Sequence, residues 1–140
     1  MYAVFSRTYG LKGVWSSKIL AKLLEGKKAF ALFSGGKDSL CATLYTMETI
    51  KMWKVKCEFK VIHVDTTIGL PETERYVRRI CDLLGLELVV LRPKMTFEDF
   101  VERFGIPNWR RRWCCYYLKI EPIRKYIKRV EGKKIKALAN

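Results

Sequence analysis

Ala29-Phe30-Ala31-Leu32-Phe33-Ser34-Gly35-Gly36-Lys37-Asp38-Ser39-Leu40-Cys41-Ala42-Thr43-Leu44 is the stretch on which the fold turns. It opens with a short apolar run of strand character, and from Ser39 onward its apolar groups are spaced as on a helix. Gly35 and Gly36 can take positive φ and leave room for close approach. Successive N–H groups can therefore converge on one concavity, to which the helix start adds partial positive charge. Lys37 adds a full charge, and the Ser34 and Ser39 hydroxyls add donors. A strand, a glycine turn and a helix start in this order suit a phosphate; the alternative is a turn that binds nothing.

The rest of the chain repeats the same alternation. Residues 28–33, 59–64, 87–91 and 135–139 read as strands. Ser16 reads as the N-cap of a helix with Ile19, Leu20, Leu23 and Leu24 on its apolar face and Gly26 at its end. Residues 38–53 form the helix after the glycine turn. Pro71 opens another at its favoured first position, with Tyr76, Val77, Ile80, Cys81 and Leu84 on one face and Gly85 closing it. Thr96 caps a short helix through Phe104, and residues 113–120 and 122–130 read as two helical pieces, the second opened by Pro122. Residues 2–14 read as a hairpin or irregular arm, so 1–27 form an N-terminal arm and helix. Strands alternating with helices imply parallel pairing, hence a three-layer α/β/α sandwich with a mostly parallel sheet, and residues 1–140 fit one domain.

Composition narrows the class. With 49% hydrophobic and 13% aromatic residues the chain is not disordered. No apolar run reaches the roughly 18 residues of a membrane span, and the first residues lack a signal peptide's apolar core, so a cytoplasmic protein is expected. The five cysteines, Cys41, Cys57, Cys81, Cys114 and Cys115, show no disulfide spacing and read as free thiols, Cys41 and Cys81 at helix core positions. Absence of Gln, scarcity of Asn and abundance of Lys, Arg and Tyr fit adaptation to high temperature. The net charge of +14 is concentrated in residues 103–140, which hold 12 of the 28 Lys and Arg. An anionic partner is implied, whether a nucleotide, a nucleic acid or only solvent ions.

Two further segments carry chemistry. Val64-Asp65-Thr66-Thr67-Ile68-Gly69-Leu70-Pro71-Glu72-Thr73 leaves the second strand at the sheet end where ligands lie in open α/β folds. Asp65 and Thr66 there suit a hydroxyl-bearing or metal-bound ligand. In Arg112-Trp113-Cys114-Cys115-Tyr116-Tyr117-Leu118-Lys119-Ile120-Glu121-Pro122-Ile123-Arg124, helical spacing sets Arg112 and Lys119 on nearly one side. A thiol in that first turn, beside three arginines, is expected to shift toward thiolate. Two small buried thiols are the alternative. His63 is the only histidine, read as packed or at the pocket edge. Aromatics interleaved with arginines in Asn108-Trp109-Arg110-Arg111-Arg112-Trp113 could stack on bases.

Ser-Gly-Gly-Lys-Asp-Ser resembles the PP-loop of the adenine nucleotide α-hydrolase superfamily. The three segments together resemble the phosphoadenosine phosphosulfate (PAPS) reductase family in order and spacing. The resemblance implies a HUP-like fold of the PP-loop type that binds ATP or a sulfonucleotide such as PAPS. Ser34, Gly35, Gly36, Lys37, Asp38 and Ser39 would surround the phosphates or phosphosulfate, Asp65 and Thr66 would edge the nucleotide pocket, and Arg112 and Lys119 would meet the anionic end. Lys37 and Asp38, with Cys114 and Cys115, are the catalytic candidates. ATP-cleaving relatives use magnesium at this loop, whereas in the reductases a cysteine attacks sulfur.

The family's C-terminal Glu-Cys-Gly segment has no counterpart here, and no Cys-x-x-Cys follows Cys114-Cys115. Neither reductase turnover nor an iron-sulfur cluster is expected from this chain alone, and a protein partner or second chain would have to bring the missing cysteine. No other metal site is expected. The strand at 135–139 stops where the family runs on into a further loop, so the chain reads as a minimal version of the fold or as one truncated at its C-terminus. An ATP-dependent nucleic-acid sulfur-modifying enzyme and a catalytically silent nucleotide-binding module stand as alternatives.

Overall fold

The alternation becomes, in the computed structural model, which describes residues 13–131, a sheet of three parallel strands with helices on both faces. The order along the chain is α1 (Gly13–Leu24), β1 (Lys28–Leu32), α2 (Lys37–Met52), β2 (Glu58–Val64), α3 (Pro71–Leu84), β3 (Leu88–Leu91) and α4 (Phe97–Phe104). A last helical run follows, made of α5 (Trp113–Cys115), a π-helical segment (Tyr116–Ile120) and α6 (Glu121–Glu131). The arm expected at residues 2–14 falls mostly outside the described residues, and the strand expected at 135–139 falls wholly outside them.

Pairing is in parallel register, Leu32 opposite Ile62 and Val64 opposite Leu91. Two further bonds, Phe33 N–H to the Ile62 carbonyl and Asp65 N–H to that of Leu91, both 2.9 Å, carry the pairing one residue past each strand. The chain therefore leaves β1 at Ser34 and β2 at Asp65 on the same edge of the sheet. Alternation of side chains assigns the layers. Phe33 and Val61 pack with Val77 and Cys81 of α3. Ile62 on the other face packs with Ile123 and Ile127 of α6, joined by Phe30, Leu32 and Val89. Each such isoleucine contributes about 1.5–3 kcal/mol on burial, which holds the basic last helix against the sheet.

Several local expectations are corrected. Helix α1 starts at Gly13, so Ser16 lies inside it and is not its cap, and Ser17, Leu20, Ala21 and Leu24 are buried while Ile19 is 57% and Leu23 43% exposed. Cys41 is exposed on α2, whose buried residues are Thr43, Met47 and Thr49. Only Cys81 matches the expected core placement, at 1% exposure. Of the two glycines in the turn, only Gly35 has positive φ (+89°); Gly36 is extended at φ −84°, ψ 157° and is the N-cap of α2.

The two helical pieces expected at 113–120 and 122–130 are present, the second beginning at Glu121 with Pro122 in its first turn, and they join through a widened turn. Proline lacks the N–H that would bond Leu118, and its ring clashes with that carbonyl in an α-helix. The preceding turn opens to π geometry, with Glu121 N–H reaching back five residues to the Tyr116 carbonyl, and the helical run continues to Glu131. Thr96 does cap α4, accepting from Asp99 N–H while the Asp99 carboxylate accepts from Thr96 N–H at 2.8 Å.

Candidate functional site

The loop from Ser34 to Ser39 is held at three points. At its start, His63, 6% exposed on β2, bonds the Phe33 carbonyl through Nδ1 at 2.8 Å. A carbonyl only accepts, so that nitrogen carries the proton. In the middle, Gly35 lies against α3, where an added Cβ would stand 2.8 Å from Thr73 Cγ2 and 3.5 Å from Val77 Cγ2. At its end, Ser39 Oγ donates to the Gly36 carbonyl at 2.9 Å and accepts from Ser34 N–H at 3.3 Å. With its proton spent on Gly36, Ser39 also accepts from the Ser34 hydroxyl, 3.1 Å away.

Both hydroxyl protons are thus used within the loop, and the donors it offers outward are others. The first N–H groups of α2 have no partner inside the helix, and Gly36 makes no side-chain cap. A Cβ at Gly36 would meet nothing closer than Ser34 Oγ at 3.6 Å, so no protein contact there requires glycine. Lys37 and Asp38 are exposed, and neither forms an ion pair among the described residues.

The loop opens onto a cleft of about 800 Å³. Its lining includes Ser34, His63, Asp65, Thr66, Thr67, Gly69, Leu70, Thr73, Glu74, Arg75, Arg78, Arg92 and Lys119. Four of the residues singled out from sequence, Ser34, Asp65, Thr66 and Lys119, therefore meet at one site, with Gly35, Gly36, Lys37, Asp38 and Ser39 in the adjoining loop. Arg112, Cys114 and Cys115 are not in the cleft lining. Arg112 precedes the helix with ψ 45° and a π-helical turn lies between it and Lys119, so the constant angle per residue on which their expected alignment rests does not hold across this segment. Cys114 and Cys115 are half-buried free thiols in the turn that follows it.

Asp65 is committed to its own loop. Its Oδ1 accepts from Thr67 N–H at 2.9 Å and its Oδ2 from Arg92 Nε at 2.9 Å. Thr67 sits at φ +67° and its hydroxyl accepts from Phe97 N–H at 2.9 Å, tying the loop to the start of α4. Arg92 also reaches Glu74 (3.3 Å), which Arg78 holds at 2.7 Å, and Arg75 pairs with Glu72 at 2.5 Å. Arg78 chiefly, with Arg92, pulls the Glu74 carboxyl below its ordinary range, and Asp65 and Glu74 raise Arg92 further. Each lining arginine thus has a carboxylate. Lys119 is the lining cation with none among the described residues.

The network of Arg92, Glu74 and Arg78 was not foreseen from sequence. Its only signal there is that Glu74 and Arg78 are one helical turn apart on a helix next to the second motif. No three of the His, Cys, Asp or Glu side chains gather to hold a metal ion among the described residues. Burial, with a smaller contribution from a neighbouring acid, raises the thiols of Cys57 and Cys81. No helix among the described residues is long and apolar enough to cross a membrane.

Residues 28–137 match the family model described as the phosphoadenosine phosphosulfate reductase domain. The chain belongs to that family. An uncharacterized protein of Methanocaldococcus jannaschii is 36% identical over 97 residues, 69% of this chain and 22% of that protein. Adenosine 5'-phosphosulfate reductase 1 of Bacillus subtilis is 30% identical over 76 residues, 52% of this chain and 33% of the enzyme. The chain therefore spans a third or less of the length of these curated relatives. The crystal structure of phosphoadenylyl-sulfate reductase from Candida auris, a phosphate complex, superposes with TM-score 0.53 over 85% of this chain and 56% of that one, at 20% identity. That likeness establishes the PAPS reductase fold.

Proposed function

We propose that this PAPS reductase domain binds an adenine nucleotide, ATP or a sulfonucleotide such as PAPS, with its phosphate or phosphosulfate end on the loop of Ser34 to Ser39. The observation that carries this is the loop itself. The Ser34 and Ser39 hydroxyls are tied inward, the first N–H groups of α2, Gly36 and the Lys37 side chain are left open, and the loop borders a cleft of nucleotide size, about 800 Å³. The phosphate bound by the Candida auris structure supports an anion in this fold.

In this reading Lys37 and the first N–H groups of α2 neutralise the phosphates. Lys119, unpaired across the cleft, meets the other anionic group, and Thr66 with exposed Leu70 borders the nucleoside. His63 and Ser39 act by holding the loop rather than by touching ligand. If ATP is the ligand, the unpaired Asp38 carboxylate in the first turn of α2 fits a magnesium ion that is otherwise held by phosphate oxygens and water. That ion would supply charge neutralisation at the phosphates.

Titration calorimetry with ATP, adenosine phosphosulfate and PAPS, with and without magnesium, tests the reading. One of them is expected to bind, and Lys37→Ala is expected to weaken it by about 1.5–3 kcal/mol, the range for a hydrogen bond to a charged group. Equal affinity in folded Lys37→Ala protein removes the loop from the site. Nucleotide binding with no release of sulfite, pyrophosphate or AMP would return the reading of a silent binding module.

A further inference from the structure

The turn between α4 and α5 lies outside the cleft lining and is built to hold its side chains outward. Asn108 Oδ1 accepts from Arg110 N–H at 3.0 Å and Arg111 N–H at 2.9 Å, and Asn108 N–H bonds the Arg111 carbonyl at 3.3 Å. Trp109, on the turn this creates, is 79% exposed, with the Arg110 guanidinium 4.6 Å from its ring centroid. Behind the turn is a packed aromatic cluster. Trp113 Nε1 donates to the Gly105 carbonyl at 3.1 Å, and Trp113 and Phe104 meet with centroids 6.2 Å apart. Phe104 stacks on Tyr117 at 5.5 Å, and Tyr116 meets Tyr117 edge-on at 5.1 Å. Phe104 is 37% and Tyr116 44% exposed.

Four exposed arginines stand on or beside this turn, Arg103 with its guanidinium 5.4 Å from the Phe104 centroid, Arg110 over Trp109, and Arg111 and Arg112 next to them in the chain. None of the four pairs with a carboxylate among the described residues, in contrast to every arginine lining the cleft. A core-building aromatic would not be 79% exposed, and cations kept for solubility need no ordered turn.

We infer that this turn is a binding surface for single-stranded nucleic acid, with Trp109 stacking on an unpaired base and Arg103, Arg110, Arg111 and Arg112 meeting the phosphates around it. An exposed indole set among unpaired arginines matches a strand whose bases are free to stack, which neither a duplex nor an acidic protein surface offers. The inference goes beyond the nucleotide reading and does not depend on it.

Fluorescence anisotropy of labelled 20-nucleotide RNA and DNA of the same mixed sequence, with their duplexes and heparin as competitors, tests it. Single strands are expected to bind in preference to duplex and to quench tryptophan fluorescence. Neutralising about four phosphates gives a log-log salt slope near −3 on single strands. Trp109→Ala is expected to weaken binding about tenfold, the loss of one stacked base, with the salt slope retained. Arg110→Ala in combination with Arg111→Ala is expected to reduce the slope. Trp109 is exposed, so its variant should fold, which circular dichroism checks, and its nucleotide affinity should equal that of the parent chain. Unchanged affinity in folded Trp109→Ala protein, duplex binding as tight as single-strand binding, or displacement by heparin without any stacking signal would each overturn the inference. Different affinities for RNA and DNA would both support it and name the preferred strand.

Discussion

Exchange of Gly35 for alanine separates what the glycines of the loop do for the fold from what they do for a ligand. The new Cβ would lie 2.8 Å from Thr73 Cγ2, at a backbone φ of +89°. A positive φ costs an L-residue about 1–2 kcal/mol. Forcing a methyl into packed surroundings costs about 1–3 kcal/mol. Since Thr73 is β-branched on a helix it gives way little, and the combined loss should be about 2–5 kcal/mol. With a urea dependence of about 2 kcal/mol per molar, the middle of the range for small domains, the unfolding midpoint should fall by about 1–2.5 M. Thr73→Ser removes the opposing methyl, so Gly35→Ala made in that background should cost about 1–3 kcal/mol less, leaving chiefly the backbone part.

Gly36→Ala is the contrast. At φ −84° with its nearest contact at 3.6 Å, alanine there should change stability by no more than about 1 kcal/mol. Nucleotide binding should nevertheless weaken, because the methyl occupies the space through which a phosphate reaches the N–H groups. Equilibrium urea unfolding and calorimetry on both variants decide the matter. Equal and small losses of stability at Gly35 and Gly36 would refute the claim that α3 sets the loop, and full nucleotide affinity in Gly36→Ala would refute close approach.

The remaining predictions concern the cleft and the thiols. Glu74 has its folded pKa held below the ordinary 4.5, so it contributes stability that is complete above that value and lost as pH falls through the folded value. Glu74→Gln should therefore flatten the decline of stability below pH 4.5, and an acid limb identical to that of the parent chain in urea titrations would contradict the assignment. Since neither Cys114 nor Cys115 lines the cleft, the purified chain should release no sulfite from adenosine phosphosulfate or PAPS with thioredoxin or glutaredoxin. Sulfite release that disappears in Cys115→Ser protein would show that the thiol reaches the site.

The sequence by itself determined the features whose causes are local. The strand, glycine turn and helix around Ser34 to Ser39 follow from hydrophobic spacing over a few residues. So do the Thr96 cap of α4 and the Pro71 start and Gly85 end of α3. Parallel pairing and the two-sided sandwich followed from the alternation of these elements, and with them the common edge at which Ser34 and Asp65 emerge. Tertiary structure alone decided what depends on partners distant along the chain. Gly35 is the constrained glycine because α3 packs against it, and His63 bonds Phe33 across the β1–β2 pair. Asp65 serves Arg92, 27 residues away, and is thereby held in its own loop. Periodicity leaves open which side of a helix meets the sheet, which is how Cys41 came to lie on the open side of α2. It also assumes a constant angle per residue, and the π-helical turn that Pro122 imposes ends that constancy between Arg112 and Lys119, leaving Lys119 to line the cleft while Arg112 stays with the turn at Trp109.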